Sequence, residues 1–383
     1  MWQFWIDTGG TFTDCLALSP LGKEYRVKVL SSSEIRVRVI EVLGPNRFRL
    51  EIPFDTVDDF FVGYRLQVCG LGTGHGHIVT WSSEDCLLEL DVKIPSLEQG
   101  ALCAIQSLEE PPILGMRLIT QTLLGEALPR LELRLATTRG TNALLEGKGA
   151  RAAFFVTRGF RDLLRIGNQQ RPDLFELGIK KREPLHSLVF EVSERLDPKG
   201  SIIKSLCEEE VRSFAVRCRE EGIESVAVAL LHSYRNSDHE QRIGEILRME
   251  GINHVSLSHE LSAKIKILQR AETSMVDAYL APIMDTYLDA VQFVLSERNL
   301  RIMTSAGGLV SRTNYRPKDS LLSGPAGGVV GSSSVGKRAG IERGIAFDMG
   351  GTSTDVSRFE GQLDYQFEQV IGGAKVFAPS LRI

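Results

Sequence analysis

The 383-residue sequence contains no apolar run approaching the ~20 residues that a membrane-spanning helix needs, which argues against a membrane protein. Its six cysteines, Cys15, Cys69, Cys86, Cys103, Cys207 and Cys218, include no Cys-x-x-Cys pair. That spacing points to reduced thiols in a cytoplasmic protein rather than to a disulfide framework or a zinc ribbon. The net charge is only −4, so neither nucleic acid nor an anionic membrane is expected as a partner. The N-terminus, Met1-Trp2-Gln3-Phe4-Trp5, lacks the basic start of a cleaved signal peptide. A Gly-x-x-x-x-Gly-Lys-Ser/Thr loop is missing, and no Gly-x-Gly-x-x-Gly run sits between a strand and a helix. Two common phosphate-binding devices are thereby excluded. With 43% apolar and 25% charged residues, the chain can build a large globular core, and its length predicts two or three domains.

What the sequence does have is a repeat. Asp7-Thr8-Gly9-Gly10-Thr11-Phe12-Thr13-Asp14 recurs as Asp348-Met349-Gly350-Gly351-Thr352-Ser353-Thr354-Asp355, identical at six of eight positions. Each copy follows a short apolar run, so each reads as a strand feeding a Gly-Gly-Thr turn. A Gly-Gly pair lets backbone N–H groups approach an anion closely and permits positive φ. The hydroxyls of Thr8, Thr11, Thr13, Thr352, Ser353 and Thr354 add donors. Asp7 and Asp348, at the strand ends, are hard oxygen ligands suited to Mg²⁺, directly or through water. Asp14 and Asp355 are placed to orient an attacking water or hydroxyl. One copy alone reads equally as a Gly-rich hairpin turn. Two copies predict related half-domains that face one phosphate-bearing ligand, such as ATP. A third Gly-rich stretch, 322–331, carries Gly324, Gly327 and Gly328 into a small-residue helix. Its first amides can approach a nucleotide, and close helix packing is the competing explanation.

The remaining patterns organise the chain. Residues 34–110 alternate in short runs broken by turns, the spacing of a small all-β barrel or sandwich. His75 and His77, either side of Gly76, can be a metal pair or a hairpin tip. Beyond that, strands at 131–135, 152–156, 226–230, 255–257, 301–303 and 344–348 alternate with helices at 113–124, 208–221, 238–249 and 271–295, the last interrupted near Pro282. This predicts an α/β protein. Thr141 or Asn142 is expected to cap a helix start. Four arginines, Arg158, Arg161, Arg165 and Arg171, can clamp a substrate carboxylate, with surface ion pairs as the alternative. Arg139 and Asn142 are weaker candidates for substrate contact.

The stretches 6–14, 136–146, 155–177, 321–331 and 347–357 together resemble the hydantoinase A/5-oxoprolinase family. The run Val156-Thr157-Arg158-Gly159-Phe160-Arg161-Asp162 and its continuation to Phe175 is most similar to the 5-oxoprolinase branch. The resemblance implies an actin-like ATPase fold of two ribonuclease H-like lobes with an inserted β domain. It divides the chain into a first lobe (1–33 and 114–205), an insertion (34–113) and a second lobe (206–383) shortened at its C-terminal end. It also implies ATP and Mg²⁺ as cofactors and ATP-driven opening of a cyclic amide, 5-oxoproline or a hydantoin. A hydantoinase B-type subunit or fused domain is the implied partner, and a homo-oligomer stays open. Related carboxylase subunits make a ketone carboxylase the alternative, and a small-molecule kinase or nucleotide-gated binding module a third reading. The chain departs from the family at Ser305-Ala306-Gly307-Gly308 and at Ile267-Leu268-Gln269-Arg270.

Overall fold

A computed structural model describes the chain apart from residues 71–73, 96, 169–174, 179–181, 296–299 and 350–353. It forms a mixed α/β structure of two compact units. The first comprises 1–137, 287–302 and 309–313, and the second 138–286, 303–308 and 314–383.

In the first unit, the strands Trp2–Thr8, Phe12–Leu18 and Glu24–Leu30 form an antiparallel meander. Trp2–Thr8 also pairs in parallel with Leu131–Thr137, which pairs in parallel with Leu300–Met303, and Leu309–Ser311 lies at the sheet edge. Alternation decides the faces. Phe4, Ile6, Cys15 and Ala17 are buried, whereas Trp5 and Leu16 are exposed. Helix Pro111–Thr120 covers the buried side, with a proline in its first turn, where a missing N–H costs nothing. It therefore begins two residues before the expected start. A Cβ at Gly115 would lie 2.3 Å from Cys15 Sγ, so only glycine lets this helix sit so close.

Residues 34–106 close into a six-stranded barrel, Glu34–Val42, Arg47–Glu51, Arg65–Val68, His75–Ser82, Leu87–Leu90 and Leu102–Gln106. Phe48, Leu50, Leu66, Ile78 and Leu88 fill it, and each such side chain contributes roughly 1.5–3 kcal/mol. Phe60, Phe61, Tyr64 and Trp81 form an aromatic cluster in the same core. His75 and His77 lie within a barrel strand rather than at a tip, and His77 Nδ1 is 3.4 Å from Asp91.

The second unit is built on a parallel sheet ordered His186–Val192, Ala152–Thr157, Ser225–Ala229, His254–Leu257. Ala152–Thr157 and Ser225–Ala229 are buried at every position, as expected where both faces are covered. Helices Glu208–Glu220 and Asp238–Met249 cover one face through Val211, Cys218, Ile243 and Leu247. Ala271, Met275 and Ala278 of helix Ile267–Val294 cover the other. That helix runs on through Pro282, because the buried Ala278, Ala281 and Met284 hold it against its surroundings where the proline removes a backbone bond. At the carboxyl ends of the strands lies an ionic cluster. Fully buried Glu240 accepts bonds from Leu230 N, Ser258 Oγ and His259 N, while buried Arg270 donates to Leu230 O and to the hydroxyls of Ser233 and Ser258. None of the candidate roles anticipated this cluster.

Candidate functional site

The first hairpin places Asp7 directly opposite Asp14, and Thr8 opposite Thr13. Both carboxylates are on the exposed face, because residues two apart share a face and Trp5 and Leu16 already face outward. The turn is tied down from inside. Gly9 N donates to Phe12 O at 2.9 Å, and Ser31 Oγ donates to Gly9 O at 2.8 Å. The buried Thr13 hydroxyl bonds to Ser31 Oγ, and the buried Thr8 hydroxyl lies 3.1 Å from Tyr287 OH. Of the five candidate donors here, Gly10 and Thr11 are exposed at the turn, Gly9 is half-buried, and Thr8 and Thr13 are internal. Gly9 is not at positive φ. A Cβ there would meet Phe12 O at 3.0 Å, so the close turn rather than backbone handedness requires glycine. Asp14 forms an ion pair with Lys28 at 3.2 Å.

The second hairpin, Arg343–Met349 and Thr354–Glu360, repeats the register, with Asp348 opposite Asp355 and Met349 opposite Thr354. Gly350, Gly351, Thr352 and Ser353 lie outside the described residues. The electrostatics differ from the first copy. Neither Asp348 nor Asp355 has an ion-pair partner among the described residues, and partial burial followed by the neighbouring Asp348 raises the Asp355 carboxyl. Both aspartates line a cavity of about 250 Å³ with Gly328, Val329 and Ser332.

Those three residues belong to the glycine-rich helix Ser323–Arg338. Gly328 faces the cavity, Gly324 is buried and Gly327 is half-buried. The helix packs on the hairpin through Phe359, whose ring would meet a Cβ at Gly336 or Gly344 at 2.6 and 2.5 Å. Close packing and cavity lining thus use different glycines of one stretch. Leu322, held at φ +58°, precedes the helix and donates its N–H to Thr141 Oγ1. That bond explains why Thr141 caps nothing. The short helix Arg139–Leu145 starts earlier, at Arg139, with Asn142 bonded back to Thr138. A Cβ at Gly140 would lie 2.0 Å from Ser320 Oγ, so this segment also depends on a glycine contact. Arg139 and Asn142 are both half-buried here.

Arg158, Arg161 and Arg165 line one cavity of about 660 Å³, whereas Arg171 lies outside the described residues. Arg217, which no sequence pattern singled out, lines it too. It sits 52 positions beyond Arg165 on a helix whose polar face reads as ordinary solvent-facing surface. Among the described residues, no group of three or more His, Cys, Asp and Glu side chains is arranged to hold a metal ion. No helix among them is long and apolar enough to cross a membrane.

A mixed α/β chain with a barrel and a duplicated Asp-x-Gly-Gly-Thr hairpin is the class of protein that these features define. Two sequence profiles of one family cover most of it: "Hydantoinase/oxoprolinase N-terminal region" matches residues 92–251 and "Hydantoinase/oxoprolinase" matches residues 270–383. The chain belongs to the hydantoinase/oxoprolinase family. It is 41% identical over 316 residues to the 5-oxoprolinase of Saccharomyces cerevisiae, covering 72% of this chain and 24% of that protein. Among solved structures, nucleotide-free acetone carboxylase and the ATP-dependent caprolactamase of Pseudomonas jessenii each superpose with a TM-score of 0.67 at 22% identity. Each covers 99% of this chain and 47% of the other. The chain spans about a quarter of the length of the 5-oxoprolinases it matches.

Proposed function

We propose that the chain is the ATP-using part of an amidohydrolase that opens a cyclic amide, 5-oxoproline or a hydantoin. The observation that carries this reading is the duplicated hairpin with its facing aspartates, 7 with 14 and 348 with 355. An actin-like arrangement of two ribonuclease H-like lobes accounts for such a duplication. The name of the yeast relative supports the choice of 5-oxoproline.

Bound ATP would supply the phosphoryl group that converts the unreactive amide oxygen into a leaving group. The chain's own part is positioning and charge stabilisation. Amides of Gly9, Gly10 and Thr11, and of Gly350, Gly351 and Thr352, would hold phosphate oxygens. Asp7 and Asp348 would hold Mg²⁺, and the residues fit this role unequally. At the first hairpin Lys28 already opposes Asp14. At the second, two carboxylates face each other without a cation partner among the described residues, an arrangement a dication relieves. Asp14 or Asp355 would orient the nucleophile, and Gly324, Gly327 and Gly328 would lie near the nucleotide. A hydantoinase B-type subunit or fused domain would complete the hydrolytic half, in the cytoplasm.

The likeness to acetone carboxylase favours one second reading, an ATP-hydrolysing carboxylase subunit. The test is ADP release by the full-length protein with its partner, offered 5-oxo-L-proline, a hydantoin, or a ketone with bicarbonate. Stimulation by 5-oxo-L-proline with matching glutamate is the expected result. Stimulation by ketone only with bicarbonate would transfer the function to the carboxylases, and ATP binding without stimulation would leave a kinase or nucleotide-gated binding module.

A further inference from the structure

The 660 Å³ cavity of the second unit has the volume of a small-molecule pocket. Its walls are the edge strand His186–Val192, the short helix Leu163–Ile166 and one side of helix Glu208–Glu220. Formally the lining carries four arginines and four carboxylates, but internal bonds remove part of each set. Arg158 Nη2 donates to Glu210 at 2.7 Å, and Glu210 also accepts from Ser193 N. Glu191 accepts from Gly159 N at 2.7 Å. What remains is Arg161, Arg165 and Arg217, none with an ion pair among the described residues, beside Asp162 and Glu183.

The cavity is also aromatic on one side. Phe190 and Phe214 stack with centroids 4.7 Å apart, and the Arg217 guanidinium lies 5.7 Å from the Phe190 ring. Planar rings and alkyl chains gain contact area on such a surface. His186 sits in the wall, where burial, with Arg161 adding to it against an opposing backbone hydrogen bond, lowers its pKa. That shift disfavours a charge on the ring.

Three guanidinium groups that make no ion pair among the described residues suit a carboxylate, which they can meet in bidentate fashion. Two carboxylates beside them suit an N–H donor on the same ligand. We propose that this cavity binds a small organic carboxylate that also carries an amide or amine N–H, through Arg161, Arg165 and Arg217. The assignment deepens the amide-opening reading by naming where the substrate's carboxylate is held, and rests on that reading for the choice of probe.

The experiment is isothermal titration of the full-length protein, without nucleotide, with 5-oxo-L-proline, inorganic phosphate, and 2-pyrrolidinone, the same ring lacking the carboxylate. 5-Oxo-L-proline is expected to bind at least about tenfold more tightly than either control. Arg161→Ala, Arg165→Ala and Arg217→Ala are each expected to weaken it about tenfold, with thermal melts near the parent's because the three side chains are exposed. Arg217→Lys should keep part of the affinity, since the charge stays and the fork is lost. No binding by the parent protein, equal binding of 2-pyrrolidinone or phosphate, or unchanged affinity in the three alanine variants would each overturn the proposal. ADP release separates the two readings. Carboxylate binding without stimulated turnover sinks the amide-opening function and leaves the cavity standing. Stimulated turnover with an unchanged KM in all three variants does the reverse.

Discussion

Neutralising Asp355 tests the cation role of the second hairpin in two directions at once. Asp348 and Asp355 are directly opposed across an antiparallel pair, where Cβ atoms sit about 5 Å apart. Two like charges at that distance repel by ~3 kcal/mol at an effective dielectric of 20 and by under ~1 kcal/mol in bulk water. Asp348 is exposed and Asp355 half-buried, so the repulsion falls between these limits. Asp355→Asn removes it while keeping the side chain's shape. In the presence of EDTA the variant should therefore melt at or above the parent temperature. A dication at 100 times its Kd stabilises the parent by ~2.7 kcal/mol, which is roughly 5–10 °C for a unit of this size. The variant should lose most of that Mg²⁺-dependent shift, and Asp348→Asn should behave alike. Asp14→Asn gives the contrast, since it removes one partner of an exposed ion pair worth ~0–1 kcal/mol. Differential scanning fluorimetry with Mg²⁺ against EDTA reads all three variants. An undiminished Mg²⁺ shift in both second-hairpin variants, or destabilisation of Asp355→Asn in EDTA, would refute the reasoning.

Other perturbations follow from the packing and the buried charges. Gly140→Ala puts a methyl 2.0 Å from Ser320 Oγ, which is fully buried and bonded to Pro317 O, and should cost ~1–3 kcal/mol in a denaturant titration. Gly331→Ala, on an exposed helical position with nothing within 4 Å, should instead stabilise by ~0.5–1 kcal/mol. Asp277 is buried and its carboxyl is pushed up from 3.8 to about 6, first by burial. The folded state then holds more protons than the unfolded state between those values, so stability falls as pH rises from about 4 to 6, by up to ~3 kcal/mol. Asp277→Asn, which keeps one oxygen acceptor for Lys318 N and turns its amide N–H toward Ser256 Oγ, should remove that slope, and an identical pH profile in parent and variant would refute it. Glu240→Gln leaves the fully buried Arg270 without its carboxylate and should cost ~3–5 kcal/mol, with part regained in Glu240→Gln/Arg270→Met.

The features that were legible in the sequence are those whose cause is local. The facing aspartates follow from the repeat itself, because positions 7 and 14, and likewise 348 and 355, are symmetric about their turns and a hairpin must set them opposite one another. The α/β character showed in strands such as 152–156 and 226–230 alternating with helices such as 208–221 and 238–249. The barrel was readable because period-two alternation survives in strands as short as Arg65–Val68. Local rules failed where a distant contact outweighed them. A proline marks a break in an isolated helix, yet Pro282 lies between turns whose buried faces hold the axis straight through. A threonine near a helix start looks like a cap, yet Thr141 serves a backbone N–H 181 positions away.

The unequal hairpins show how far such reasoning reaches toward function. Their eight-residue repeats, 7–14 and 348–355, differ only at Thr8 against Met349 and Phe12 against Ser353, and neither difference involves a charge. The electrostatic difference arises instead from the next strand. Glu24–Leu30 brings Lys28 opposite Asp14 in the first copy. The strand that follows the second copy, Gln362–Leu363, is too short to reach Asp355. A duplicated sequence has thus been given two electrostatic environments by what lies beside it. The copy whose carboxylates have no ion-pair partner among the described residues is the one that a divalent cation would stabilise more.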